Sequence, residues 1–454
     1  MSRSGWNRRQ KTWATIAEGF CQSQRYTAKN VDGPIFKSPH ETSELRSLSA
    51  HAISLASFLG KMVSYQRRLL SSFTTASNIP CFIVAWVWAL MSPYTLLANE
   101  AATVQQPSFQ QPQAGYEYTF PQDHGAHDNF STEWWYFTGH LFTSDHRQFG
   151  YELTFFRRAI DDERVRTNLS RWAIRQLYLA HFAVTDEENK QFQYAEKISR
   201  AGLGKAGAAE GRLETWIDQW SVTAINQKHQ QFQLEAKTDT FAVDLIAELS
   251  IPPVIHGLDG VSRKGTQTHH SSHYYSLTRL QTSGSLRIQH ETFAVTGLSW
   301  MDHEFASSDL EDGLVGWDWF SMQLKSGHDI MIYGLRREDG SFAPSSSGTL
   351  VFPDGTSQHL SREDLIVTVL DYWESPKSGA RYPSQWTISI PTHQIQVHIT
   401  PRMADQELRT GQSTQVTYWE GAVDISGTLA QQAITGLGYV ELTGYAEPYK
   451  PSLQ

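Results

Sequence analysis

Beyond residue 98 the chain contains no cysteine; Cys21 and Cys81 both precede that point. The body can therefore form no disulfide and offers neither a thiolate nucleophile nor a sulfur ligand, so a large apolar core must stabilise it. No Gly-x-Ser-x-Gly elbow occurs there, which removes the nucleophile signature of an α/β-hydrolase. A Walker loop and a His-Glu-x-x-His zinc motif are missing as well. Basic charge is also scarce. Residues 1–98 hold 11 Lys/Arg and 4 Asp/Glu, whereas the rest holds 27 basic and 43 acidic residues, a net of −16. So acidic a body repels phosphate backbones and argues against nucleic acid as a partner.

The basic segment ends in an apolar run over residues 79–91, preceded by Arg67 and Arg68 and followed by Leu96-Leu97-Ala98. That order describes a secretory signal, with Met62 as the natural start, 62–98 as the leader and 1–61 as an unfolded or misassigned extension. The protein is expected to be exported, periplasmic or extracellular. An uncleaved N-terminal anchor is the alternative, although Pro80 and Pro93 leave a short span. Membrane contact is expected through the leader alone. Residues 99–115, with five Gln, three Ala and two Pro, read as a flexible tether.

After the tether, short runs of aromatic and branched residues recur between turn signals. Strands are expected over 151–156, 178–184 and 241–249. Hairpins are expected around Ser283-Gly284, Ser326-Gly327 and Pro353-Asp354-Gly355, with a bend at Pro391-Thr392 and a closing strand over 439–444. Residues 199–211 read as a Gly/Ala loop or a short helix. Regularly spaced strands imply an all-β chain of antiparallel sandwiches or barrels. About 340 residues suit two such domains, 116–305 and 306–454, divided by the polar stretch near 304–316.

Three constellations could carry chemistry. The first is Trp300-Met301-Asp302-His303-Glu304-Phe305. As a strand it puts Trp300, Asp302 and Glu304 on one face and Met301, His303 and Phe305 on the other. A carboxyl beside an indole is a place where its pKa can rise and a proton be delivered. The second is Glu133-Trp134-Trp135-Tyr136, continuing to His140, with Asp123, His124, His127 and Asp128 upstream. Paired indoles commonly form core, but polar groups among them suit an apolar pocket with a few oriented contacts. The third is His269, His270 and His273 followed by Tyr274, which could bind zinc if Asp302 or Glu304 closed the site. Trp317 and Trp319 add two more indoles to one strand face. Eleven of the fifteen tryptophans lie beyond residue 98, a supply that suits a long apolar ligand or a cation held by π faces.

Three segments occur in a set order: His127-Asp128 with Glu133-Trp134-Trp135-Tyr136, then Tyr274-Tyr275-Ser276-x-Thr278-Arg279-Leu280, then Gly297-x-x-Trp300-Met301-Asp302-His303-Glu304. Together they resemble the carotenoid 1,2-hydratase (hydroxyneurosporene synthase) and AttH-like family over roughly residues 115–447. The resemblance implies two lipocalin-like β-barrel domains packed together and chemistry that needs no metal or organic cofactor. It also implies Asp302 as proton donor to an alkene, with His303 or Glu304 orienting water or tuning the acid. Trp134, Tyr136, Tyr274 and Trp300 would then stabilise the cation, with Trp135, His140, Trp317 and Trp319 completing the substrate-binding set. An acid of this kind has to stay neutral in an apolar site.

The leading expectation is thus an exported protein that binds an apolar isoprenoid or lipid-like molecule and hydrates or isomerises it by acid catalysis. One competing reading is a non-catalytic lipid carrier serving an envelope ABC transport system. Another is a metal-dependent secreted hydrolase.

Overall fold

The structure is a computed structural model and describes residues 109–450, apart from 161–164, 166, 171–172, 227 and 229. The extension, the leader and the first part of the tether lie outside the described residues. Among the described residues the elements from Gln122 to Thr443 are strands and three-residue 3-10 turns, in keeping with the all-β expectation. Among the described residues no helix is long and apolar enough to cross a membrane.

Two antiparallel sheets divide the strands. The first contains β1 (Thr132–Phe142), β2 (Gln148–Ala159), β3 (Gln176–Asp186), β4 (Gln191–Arg200), β5 (Ala206–Ala208), β6 (Glu214–Ile217), β7 (Trp220–Ala224), β8 (Gln231–Lys237), β9 (Phe241–Leu249), β10 (Val254–Ile255), β11 (Ser262–Arg263), β12 (Ser271–Ile288) and β13 (Glu291–Ala306). The second contains β14 (Leu314–Leu324), β15 (Asp329–Arg337), β16 (Ser347–Val351), β17 (Ser357–Leu360), β18 (Ile366–Glu374), β19 (Arg381–Ile390), β20 (Ile395–Pro401), β21 (Glu407–Arg409), β22 (Thr417–Leu429) and β23 (Gln432–Thr443). Both sheets curl around their own apolar cores, one as a barrel and the other as a half-barrel. They share one topological device: the first long strand pairs with the last, β1 with β13 and β14 with β23.

A third apolar cluster joins the sheets, with Tyr136, Tyr274 and Trp300 from one and Trp319, Tyr333 and Tyr439 from the other. Close approach here requires glycine, because a methyl at Gly150 would lie 2.6 Å from the Tyr439 hydroxyl and 2.9 Å from the Ala422 Cβ. Glycine at 284 is also a matter of space. The expected hairpin at Ser283-Gly284 does not form, and β12 runs straight through it to Ile288, turning only at Gln289. A Cβ at Gly284 would stand 2.1 Å from the Asp244 carbonyl of β9, so this glycine admits a neighbouring strand. The Gly/Ala stretch near 199–211 likewise holds a short strand, β5.

The interior of the first sheet holds a charged network as well as core. Glu133, fully buried, accepts hydrogen bonds from Arg157 Nε at 2.9 Å, from the His127 backbone at 3.0 Å, and meets ring nitrogens of His127 and His303 at 2.8 Å. Burial opposes its ionisation, but His127, His303 and the Arg157 charge hold it well below the usual carboxylate range. The same carboxylate and Asp123 raise His127 to about 9 against its own burial. Arg157 Nη2 also donates to the carbonyls of His127 at 2.8 Å and Phe130 at 2.9 Å, tying the segment before β1 onto the sheet. Removing one partner of such a network strands the others. Glu133→Gln should cost about 3–5 kcal/mol in urea unfolding; a loss below about 1 kcal/mol would show that the network adds nothing.

Candidate active site

The pairing of β1, β13 and β12 sets which side chains meet. Tyr136 lies opposite Asp302, which lies opposite Ser276; Trp134 lies opposite Glu304, which lies opposite Tyr274. All six point away from the first core, toward the second sheet. Intervening residues alternate to the other side, where Trp135 stacks on His303 at 4.9 Å and His303 meets Glu133.

Asp302 is 4 % exposed and accepts three hydrogen bonds. Trp300 Nε1 donates to Oδ1 at 2.6 Å, Ser276 donates to the same oxygen, and the Tyr274 hydroxyl donates to Oδ2 at 2.5 Å. Tyr274 in turn accepts from Trp319 Nε1 at 3.0 Å, so an indole of the second sheet orients the phenol that touches the acid. Behind Ser276, His256 Nε2 lies 2.6 Å from its hydroxyl and His256 Nδ1 lies 2.8 Å from Thr349. Burial holds this imidazole neutral. With Ser276 donating to Asp302, His256 must donate to Ser276 and accept from Thr349. Burial raises Asp302 to about 7, overcoming the three hydrogen bonds that favour its carboxylate.

Asp302 and Glu304 face a cavity of about 260 Å³ between the sheets. Glu304 is paired with Lys264 at 3.0 Å, and the ammonium lies 3.9 Å from the centre of the Tyr333 ring. Aromatic and charged residues share the walls, with Trp134, Tyr136, Phe156, Trp317, Trp319 and Tyr418 among the rings. Three more carboxyls line the second sheet and the start of the first: buried Glu420 on β22, half-buried Glu441 on β23 and buried Glu152 on β2. Glu420 accepts from the Tyr136 hydroxyl at 2.7 Å. Glu441 accepts from Trp317 Nε1 at 3.0 Å and Thr443 at 2.8 Å. Glu152 accepts from Thr154 at 2.9 Å and Tyr418 at 3.2 Å. Burial and mutual repulsion raise Glu152 to about 8 and Glu420 well above its ordinary value; burial and the charge of Glu304 raise Glu441 to about 7.

Of the residues expected from sequence, Asp302, Glu304, Trp134, Tyr136, Tyr274, Trp317 and Trp319 face the cavity, and Trp300 donates to the acid at its wall. His303 and Trp135 do not join them. Strand alternation turns both into the first core, so His303 cannot orient water at Asp302. His140 is also displaced: its Nε2 contacts the Gly438 carbonyl at 2.8 Å, and burial pushes it down to about 3, a neutral strut between sheets. The grouping of His269, His270 and His273 with Asp302 or Glu304 fails for the same reason as His303. His273 is cross-strand from Phe305 on the inner face, and His270 Nδ1 is bound to the Asp309 carbonyl.

Among the described residues, His127, Glu133 and His303 bring metal-ligating atoms within 4.8 Å of one another. Those atoms already face each other at hydrogen-bond distance, with Arg157 supplying the positive charge, and the trio sits on the opposite strand face from Asp302. Sequence reasoning missed Glu152, Lys264, Glu420 and Glu441. Three of them carried a signal: each glutamate follows an aromatic residue inside a strand, as Tyr151-Glu152, Trp419-Glu420 and, one residue apart, Tyr439-x-Glu441.

The AttH-like family model matches residues 111–445. A candidate AttH from Nitrosomonas europaea, solved as a crystal structure, is 33% identical with a TM-score of 0.67, covering 74% of this chain and 99% of that one. Kievitone hydratase from Nectria haematococca is 14% identical with a TM-score of 0.59, over 75% of this chain and 97% of its own, a likeness of fold. The dehydratase asqC of Emericella nidulans is 22% identical over 250 residues, a match spanning 54% of this chain and 66% of that protein. In sequence and in the pairing of its strands, the chain belongs to the AttH-like family.

Proposed function

We propose that this protein adds water to, or removes it from, an apolar molecule held between the two sheets, with Asp302 carrying the proton. The observation that carries this reading is a buried carboxyl at the cavity wall, raised to about 7 yet held by three donors. Such a group gives and takes a proton near neutrality. The names of two similar proteins, a hydratase and a dehydratase, support the same class of reaction.

In hydration the protonated Asp302 gives its proton to one alkene carbon, using the π electrons to form the C–H bond. The cation left on the other carbon lies among the faces of Trp134, Tyr136 and Trp319, which suit positive charge. Water then adds and sheds one proton. Dehydration is the reverse, with the Asp302 carboxylate taking the proton from carbon. Glu304, tied to Lys264, keeps a fixed charge beside the acid. The aromatic walls favour an isoprenoid or lipid-like substrate, and the basic, apolar leader supports action outside the cytoplasm.

Incubating prenylated phenols, acyclic isoprenoids and their alcohols in H₂¹⁸O should reveal a substrate by incorporation or exchange of label. Asp302→Asn should retain the fold and ligand affinity while lowering turnover by about 10²–10⁴-fold. Equal turnover in the variant would reject Asp302 as the proton carrier. Tight binding without turnover in either protein would instead support the lipid carrier, with an envelope transporter as its partner.

Hydration needs the proton on Asp302, so its rate should fall as pH rises through about 7, while dehydration should gain over the same interval. Stability should follow the buried acids. A carboxyl raised by folding contributes stability that is fully present below its unfolded pKa and lost as pH rises through its folded one. For Glu152 and Glu441 that loss falls between about 4.5 and 7–8. Melting temperature should therefore drop across this window, and Glu152→Gln or Glu441→Gln should flatten the drop, gaining stability at pH 8 over the parent but not at pH 4. An unchanged slope in both variants would refute the assignment.

A further inference from the structure

Glu152 lines the cavity but takes no part in holding Asp302, and one of its oxygens, Oε2, has no hydrogen-bond partner. The other begins a line of contacts that runs along the cavity wall through Tyr418 and His181. Glu152 Oε1 accepts from the Tyr418 hydroxyl at 3.2 Å; the Tyr418 oxygen lies 2.7 Å from His181 Nδ1; His181 Nε2 lies 2.9 Å from the Ser413 hydroxyl; and Ser413 lies 2.6 Å from Glu196 Oε2. Glu152, Tyr418, His181 and Ser413 are all buried, whereas Glu196, on the edge strand β4, is only half-buried. The chain of contacts thus crosses between the two sheets and ends at the rim.

Each intermediate can both donate and accept. His181 is held neutral by burial, with one ring nitrogen protonated and the other free to accept. A buried histidine satisfied for packing needs partners, but it does not need them to be hydroxyls that lead on to a carboxylate at each end.

We propose that Glu152 is a second proton-carrying group of the cavity, connected to the protein surface through Tyr418, His181, Ser413 and Glu196. Inward transfer is a set of four displacements. Glu196 gives its proton to Ser413, Ser413 gives its own to His181 Nε2, Nδ1 gives its own to Tyr418, and Tyr418 gives its own to the Glu152 carboxylate. One proton leaves Glu196, one arrives at Glu152, and each intermediate ends neutral.

The use of this relay in turnover rests on the acid–base reading above; its existence does not. In dehydration Glu152 protonates the leaving hydroxyl, which departs as water with the C–O electron pair. The Asp302 carboxylate takes the proton from the adjacent carbon, and the C–H pair becomes the double bond. The relay then restores the Glu152 proton, and Asp302 releases its own to solvent. Glu152 is the group placed to touch substrate; Tyr418, His181 and Ser413 are positioning residues.

The test needs no substrate. Infrared spectroscopy of the whole protein in D₂O follows the protonated carboxyl stretches, assigned by their loss in Glu152→Gln and Glu441→Gln. Glu441 lines the same cavity but lies off the relay. Ser413→Ala deletes one hydroxyl and keeps the backbone bond from Ser413 to Glu196, so the fold should survive. In Ser413→Ala and in His181→Phe, deuteration of Glu152 should slow at least about tenfold, the scale of a lost proton-transfer partner, while Glu441 keeps its parental rate. Glu152 exchanging at the parental rate in both variants would overturn the relay, and so would equal slowing of Glu441, which would report altered solvent entry. Neither result bears on Asp302, whose role is judged by turnover.

Discussion

The antiparallel register of β1 against β13 is the constraint from which the site follows. It sets Tyr136 beside Asp302 and Trp134 beside Glu304, and a slip of one residue would send all four into the first core. The second sheet repeats the device, with β14 against β23 placing Trp319 opposite Glu441 and Trp317 opposite Thr443. Because the two paired strands of each sheet face one another, indoles and carboxyls from both halves converge on one cavity. Links across it include hydrogen bonds from named rings, Trp319 to Tyr274, Tyr136 to Glu420 and Tyr418 to Glu152.

Adjacent residues on these strands live under opposite electrostatic regimes. On the inner face Glu133 is as buried as any carboxylate can be, yet Arg157 and two imidazoles keep it ionised. On the outer face Asp302, Glu152 and Glu420 are buried, and Glu441 half-buried, among phenols, indoles and hydroxyls, which donate hydrogen bonds but bring no full positive charge. Burial then dominates, and these acids hold their protons near neutral pH. Charge compensation therefore separates the structural acid Glu133 from acids such as Asp302 and Glu152, although all three are buried carboxyls.

Much of this was legible in the chain, and the rest fails for definable reasons. Strict alternation in Trp300–Phe305 and in the run from Glu133 to His140 marks which side chains share a face, and the structure keeps those faces. The same alternation excludes His303 from the Asp302 face; proximity in sequence had suggested a joint role. Ser283-Gly284 reads as a turn because glycine commonly supplies one, whereas here it makes room for the Asp244 carbonyl, a long-range demand without local trace. Glu152, Glu420 and Glu441 come from three strands separated by up to nearly 300 positions, and only tertiary closure reveals that they share a cavity. The relay from Glu152 to Glu196 is hidden for the same reason, since β2, β3, β4 and β22 meet only across the two sheets.

Pairing the first strand of each sheet with its last also has a kinetic meaning. Thr132 meets Ala306 and Trp317 meets Thr443, so the contacts that create the cavity join parts of the chain that are synthesised far apart. Such non-local pairings bear the full loop-closure entropy and form late. A half-made chain can hold hairpins such as β1–β2 or β14–β15 without possessing any cavity at all. The binding site is therefore a read-out of completed folding: a molecule retained there would select finished copies and slow their opening, making its occupancy a measure of chain integrity as well as of affinity.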